Sequence, residues 1–296
     1  MVKQPLFSDG DASDLGYVNV RKADNEYTGP ARAHCEWLWD HFERYADPEF
    51  LIEIRKNFDA RYWEMYLTVY LISKGHKVDC PKPGPDVGIE VDGRRVWFEA
   101  TTLTRGDDGK PDQVPPKPEP GKAYTVPNEK MLLRYLNGIS TKRAQHSSWV
   151  KNGFVKPEDA LIVAINPRCL GYEHADTTPP RILQAAFAVG DPYFVLNRDT
   201  MKVVDAGYHV RNVIKKASEA EVTNGVFLQE QYAHLSGLLC SRVDCVNRPE
   251  KMGLDFQLAP NPHAKAPLPQ SFRLDGTYYR VSENHDSSYS VAPEQL

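Results

Sequence analysis

Asp92-Gly93 separates two alternating runs, Asp86-Val87-Gly88-Ile89-Glu90-Val91 and Arg94-Arg95-Val96-Trp97-Phe98-Glu99-Ala100-Thr101. Asp-Gly flanked in this way is the strongest short-range hairpin signal, because a two-residue turn of this kind needs φ > 0 at both positions. A turn centred there opposes Val91 to Arg94, Glu90 to Arg95, Gly88 to Trp97 and Asp86 to Glu99. Side chains alternate across a strand, so Val87, Ile89, Val91, Val96, Phe98 and Ala100 share the face that packs into a core. Asp86, Gly88, Glu90, Arg95, Trp97, Glu99 and Thr101 share the other. Glu90 opposite Arg95 is a favourable cross-strand pair, and Gly88 leaves room for Trp97.

Asp86 opposite Glu99 breaks that pattern, since like charges across a ladder repel. A hard divalent cation between them converts repulsion into binding, and Mg²⁺ uses one or two protein carboxylates in this way. Two solvated carboxylates at a strand end are the plain alternative. A third carboxylate precedes the hairpin. Asp59 can cap a helix that runs through Arg61-Tyr62-Trp63-Glu64-Met65-Tyr66-Leu67-Thr68-Val69-Tyr70-Leu71-Ile72 and stops at Gly75. Between Tyr62 and Ile72 nearly every side chain is apolar or aromatic, and Glu64 is the lone charge. A carboxylate on such a surface must be paired, protonated or bound to a cation. A salt bridge to a nearby Arg, or a small exposed stripe with Thr68, would also account for it.

Glu64, Pro85-Asp86 and Glu99-Ala100-Thr101, in this order and with a hairpin between the last two, resemble the PD-(D/E)XK (restriction-endonuclease-like) nuclease superfamily. The likeness spans Asp59 to Thr101 and, more weakly, the following helix and strand. It implies an α/β fold with a mixed central sheet flanked by helices, here with N- and C-terminal elaborations. It also implies Mg²⁺-dependent (or Mn²⁺-dependent) hydrolysis of nucleic-acid phosphodiesters, DNA before RNA. Asp86, Glu99 and the carbonyl of Ala100 would hold the metal, and Glu64 would orient the attacking water or bind a second ion. The chain departs from the pattern at Thr101, where the family usually has Lys. That leaves two readings: a variant whose cation comes from elsewhere, or a nucleic-acid-binding module that has lost cleavage.

A replacement is available downstream. From Lys130 to Pro157 there is no Asp or Glu, while Lys130, Arg134, Lys142, Arg143, Lys151 and Lys156 occur. The stretch reads as a long helix opening near Pro127-Asn128-Glu129. At ~100° per residue, Leu132, Leu136 and Ile139 lie on one side and Lys130, Arg134, Lys142 and Gln145 fan over the other. In superfamily members a Lys or Gln on this helix can stand in for the motif Lys. Lys142 is the candidate for that role, with Lys130, Arg134 and Gln145 as substrate contacts. A basic helix face is equally often just solvated surface.

Length and composition set the remaining bounds. The 296 residues suffice for one large or two small domains, and no linker or repeat divides them. The expected division is a helical extension over 1–50, a nuclease-like core over 51–168, and a C-terminal part, 169–296, packed into the same domain. A net charge of −4 argues against duplex binding by the whole surface and favours a local, salt-dependent contact. No run approaches the ~20 apolar residues that span a bilayer, and the N-terminus has no apolar signal region. Five scattered cysteines, Cys35, Cys80, Cys169, Cys240 and Cys245, read as reduced thiols of a cytoplasmic protein. Nucleic acid is the expected partner, with a second copy of the chain as a candidate and no membrane.

Elsewhere, residues 1 to about 30 read as weakly ordered, Ala31–Phe58 as one or two helices, and His76-Lys77-Val78 as a strand. Residues 106–122, with five prolines between Pro111 and Pro120, read as a loop, with a lid over the carboxylates as one possible role. Ala160–Ile165 reads as a buried strand, and Tyr193–Leu196 and Ala206–Val210 as further strands. Residues 218–239 show helical spacing interrupted at Gly225. Asn261–Pro269 reads as a proline-stiffened loop. Asp275-Gly276 signals a second hairpin, and the chain from His285 reads as frayed.

Overall fold

The structure, a computed structural model, describes residues 4–117, 119, 121–172, 176–283 and 289–295. The helices are α1 (Leu15–Lys22), α2 (Thr28–Phe42), α3 (Phe50–Glu53), α4 (Phe58–Ser73), α5 (Asn128–Lys151) and α6 (Arg181–Phe187). The strands are β1 (Val87–Val91), β2 (Arg94–Thr102), β3 (Ala160–Asn166), β4 (Val189–Leu196), β5 (Val203–Val210), β6 (Val213–Lys215) and β7 (Glu221–Thr223). They continue with β8 (Gly237–Cys240), β9 (Gln257–Pro260), β10 (Thr277–Glu283) and β11 (Tyr289–Gln295).

Seven strands form a mixed sheet in the order β1-β2-β3-β8-β9-β10-β11, and one residue pair, Tyr289 with Tyr208, joins it to the β5-β4 hairpin. β2, β3 and β8 run parallel to one another, as do β9 and β10, and the other neighbours are antiparallel. β6 and β7 form a separate ribbon. The architecture is thus mixed α/β, and strands from beyond residue 169 continue the sheet that β1 to β3 begin.

Two apolar cores lie on opposite faces of this sheet. Val96, Phe98, Ile162 and Ala164 pack with α1, α2 and α4, whereas Trp97, Leu161, Val163 and Ile165 pack with α5 and α6. β3 is buried along its whole length because helices cover it on both sides, which explains its continuous apolar run. α4 is nearly all apolar for the same reason. It lies against β2, and Trp63 Nε1 donates to the Ala164 carbonyl at 2.9 Å in the middle of the sheet. Its stop is as expected: Gly75 takes φ 83° and its N–H bonds Ile72 O. Its start differs, because Asp59 lies inside the first turn and the carboxylate that receives the Phe58 N–H belongs to Asp14.

Several expectations are corrected. The first 30 residues are packed: α1 forms, Leu6, Phe7, Tyr17 and Val20 are buried, and the Phe7, Tyr17 and Phe58 rings cluster. A few well-placed aromatics anchor an otherwise polar stretch. Near His76–Val78 only one bridge forms, Asp79 with Gly88. Residues 218–239 hold β7, two short 3₁₀ turns and part of β8, without an α-helix. Glu221-Val222-Thr223 favours a strand, and Gly225 at φ 73° breaks the helical path. Asp275-Gly276 closes no hairpin. Gly276, at φ 94°, passes against the Phe256 carbonyl where a Cβ has no room, and leads β10 parallel to β9. Beyond it, β11 pairs with β10 over its length, so residues 289–295 are in the sheet; residues 284–288 lie outside the described set. Residues 106–122 form a loop as expected, with 118 and 120 outside the description. Among the described residues no helix is long and apolar enough to cross a membrane, and all five cysteines are free.

Candidate active site

The hairpin forms with the register read from the sequence. Asp92 and Gly93 take φ 52° and 71°, and the ladder pairs Val91 with Arg94 through Val87 with Phe98. Asp86, one residue ahead of β1, therefore falls opposite Glu99. Its Oδ2 accepts the Ala100 N–H at 2.8 Å, which ties the carboxylate to the backbone of β2. Gly88 lies against the Trp97 ring, where any Cβ would collide. The Glu90–Arg95 ion pair does not form: Arg95 stacks over Trp97 at 5.0 Å and reaches Asp79 at 3.6 Å.

Three layers converge on a cleft of about 480 Å³. From α4 comes Glu64, only 6% exposed, whose Oε2 accepts from Arg61 Nη1 at 2.7 Å. From β2 comes Glu99, 3% exposed. From α5, Lys142 Nζ donates to Glu99 Oε1 at 2.6 Å, and Gln145 and Trp149 complete that wall. From the Pro-rich turn before β1 comes Lys82, whose Nζ lies 3.6 Å from Glu64 Oε1, 3.7 Å from Asp86 Oδ1 and 4.0 Å from Asp47 Oδ2. Arg61 also approaches Asp47, at 3.7 Å.

Crowding of acids in a desolvated cleft shifts their protonation. Burial, then the charge of Asp86, pushes Glu99 up to about 8 against the opposing pull of Lys142. Glu64 is likewise raised by burial and by Asp86, opposed by Lys82 and Arg61. Burial works to lower the Lys82 ammonium, but the charges of Glu64, Asp86 and Asp47 outweigh it and hold it above its ordinary value. Glu99 Oε2 is buried without a hydrogen-bond partner among the described residues. A buried, unpartnered carboxylate oxygen is costly unless something cationic or protic meets it.

Glu64, Asp86, Glu99, Ala100, Thr101, Lys142 and Gln145 all line the cleft. Lys130 and Arg134 do not. Arg134 bonds Thr104 O and Oγ1 at 2.8 and 3.2 Å, and Lys130 lies twelve residues, roughly 18 Å of helix, from Lys142. Sequence reasoning missed Lys82, Arg61 and Asp47. Arg61 carried a signal, being one helical turn before Glu64. Lys82 stood four residues before Asp86 in a turn stiffened by prolines.

Chemically the cleft offers hard oxygen donors and three cations in one half-desolvated space. Among the described residues no three His, Cys, Asp or Glu side chains are gathered as a metal centre. The ammonium of Lys82 stands between three of the carboxylates instead. Comparison with protein-family models, with curated proteins and with solved structures gave no match in any of the three.

Proposed function

We propose that this cleft hydrolyses phosphodiester bonds of nucleic acid with the help of Mg²⁺ or Mn²⁺. The observation that carries the reading is Glu99: a buried carboxylate beside Asp86 with one oxygen left without a partner. Oxygen donors of this kind fit a hard cation. Asp86, Glu99 and the Ala100 carbonyl would hold it, with Glu64 on the opposite wall. When bound, such an ion lowers the pKa of water and neutralises charge that builds on phosphate oxygens. Glu64, raised by burial, is suited to accept and orient a water proton. Lys142 and Lys82 bring positive charge to the place where the motif Lys is replaced by Thr101.

The connectivity agrees with the resemblance to PD-(D/E)XK nucleases: helix α4, the acidic hairpin, helix α5, then β3 parallel to β2. A preference for DNA over RNA follows the usual substrate of that superfamily and is an analogy of fold. One observation favours a second reading, a binding module without cleavage: Lys82, Arg61 and Lys142 already neutralise the acids internally.

Purified protein incubated with plasmid, linear duplex, single-stranded DNA and RNA, in Mg²⁺, Mn²⁺ or EDTA, tests both. Cutting that needs the cation and disappears in Asp86→Ala supports the nuclease. Retention of DNA in EDTA with no cutting under any condition supports the module.

A further inference from the structure

Along α5, Lys142, Gln145 and Trp149 fall within about 60° of arc at ~100° per residue, so one stripe of the helix carries all three. That stripe forms a wall of the acidic cleft, and Trp149 is the one aromatic side chain lining it among the described residues. Its indole is half-buried. Part of the ring packs against the core beneath α5 and α6, and the rest borders the cleft. A large apolar ring is out of keeping with the charged and polar side chains that make up most of this lining. Anchored on the core and open on its other side, it is a rigid platform for another flat ring.

Charge alone gives this cleft little hold on a phosphate backbone. Four carboxylates line it against three cations, and each cation is already engaged. Arg61 meets Glu64 at 2.7 Å, Lys142 meets Glu99 at 2.6 Å, and Lys82 lies 3.6 and 3.7 Å from Glu64 and Asp86. A duplex is held by neutralising many phosphates, roughly six to ten in a typical site. The cleft has no such surplus. Its space of about 480 Å³ also takes one or two unpaired nucleotides rather than the width of a double helix. An unpaired strand brings a second source of affinity, since an exposed base stacks on an aromatic ring whatever the local charge.

We infer that Trp149 stacks a nucleobase of an unpaired strand, so that the cleft selects single-stranded over duplex nucleic acid. This rests on the phosphodiester reading above and names the form of its substrate. Trp149 lies seven residues, about 10 Å of helix, from Lys142. The stacked base therefore belongs to the reacting nucleotide or to its neighbour. Every base has a flat face, so the ring discriminates strandedness and not sequence.

Fluorescence titration of the full-length protein with oligothymidylate, and with a duplex of equal length, tests it in EDTA and again in Ca²⁺. Trp39, Trp63 and Trp97 are buried and exposed Trp37 lies outside the cleft, so a quench on strand binding reports Trp149. The expected result is a quench by the single strand that is absent from Trp149→Phe, although that variant still binds. Trp149→Leu keeps apolar contact with the core and should hold a native Tm and circular dichroism. It should bind the single strand about 5- to 150-fold more weakly, the scale of one lost base stack. The duplex should bind the wild-type protein less tightly than the single strand. Equal affinity for the two, a quench that persists in Trp149→Phe, or wild-type affinity in Trp149→Leu would overturn the stacking assignment. So would a wild-type protein that binds neither probe. Binding is read apart from cleavage, so strand capture through Trp149 without cutting in Mg²⁺ or Mn²⁺ supports the stack and sinks only the hydrolytic reading. Cation-dependent cutting that Trp149→Leu leaves unchanged sinks only the stack.

Discussion

Lys142 Nζ lies 2.6 Å from Glu99 Oε1, a contact that joins helix α5 to strand β2 across the cleft. It is the one side-chain hydrogen bond made by the Glu99 carboxylate among the described residues, and it leaves Oε2 unpartnered. Glu99 is raised to about 8 by burial and by Asp86. The folded chain therefore binds this proton more tightly than the unfolded one, for which 4.5 applies. Stability from this group is full below pH 4.5 and is lost as pH rises through 8. Glu99→Gln should remove that slope and stabilise the chain relative to wild type by on the order of 1–3 kcal/mol at pH 8.5, the usual cost of a poorly satisfied buried group. Urea midpoints across pH 5–9 measure it; parallel curves for the two proteins would contradict the assignment.

Asp86 bears on activity more than on folding. Its Oδ2 is held by the Ala100 N–H, and Asn can keep that hydrogen bond through its amide oxygen while losing the charge. Asp86→Asn should retain a near-native Tm and lower cation-dependent cleavage by on the order of 10²–10³-fold, the scale for removing a group that stabilises transition-state charge. Plasmid nicking under single-turnover conditions reads the loss.

Lys82 occupies the centre of three carboxylates, so a divalent cation must compete with it. Lys82→Met should tighten Mn²⁺ binding about ten-fold, since an ammonium about 4 Å from each acid is worth roughly 1–4 kcal/mol before solvent screening. Calorimetric titration without nucleic acid measures this directly. An unchanged affinity would place the cation away from Asp86 and Glu64.

His146 and His234 stack with ring centroids 4.6 Å apart and planes 15° from parallel, and both Nε2 atoms are buried without partners among the described residues. Burial, then the neighbouring His146, lowers His234 to about 4, and burial lowers His146 against a weaker pull from Asp159. The folded state resists protonation here, so the contribution is complete above pH 6.5 and fades as pH falls toward 4. His234→Phe keeps a stacked ring without a titrating nitrogen. It should recover on the order of 1–2 kcal/mol of the stability lost between pH 7 and pH 4.5, after allowance for partial solvent exposure. Identical acid profiles for the two proteins would rule the pair out as the cause.

What could be read in the sequence was what local geometry dictates. Asp92-Gly93 set the turn, and a period of two then carried Asp86 to Glu99 without further information. The long basic helix and the apolar strand after it were legible from periodicity and from the lack of acids. Contacts closed by the tertiary fold left no local mark. Asp47 meets Lys82 across 35 residues, and nothing in either neighbourhood announces it. Asp275-Gly276 has the composition of a hairpin turn but sits at a parallel crossover, because Phe256 rather than Phe272 is its neighbour. The burial of Leu6, Phe7 and Tyr17 was hidden by the polar residues around them.

The two-residue turn at Asp92-Gly93 also couples solubility to chemistry. Slipping the β1–β2 ladder by a single residue would invert strand β2 about its axis, sending Glu99 into the layer now filled by Phe98 and turning Phe98 outward. No drift by small steps leads from one arrangement to the other. A one-residue slip of that ladder would abolish the acidic wall and expose a greasy one in the same event.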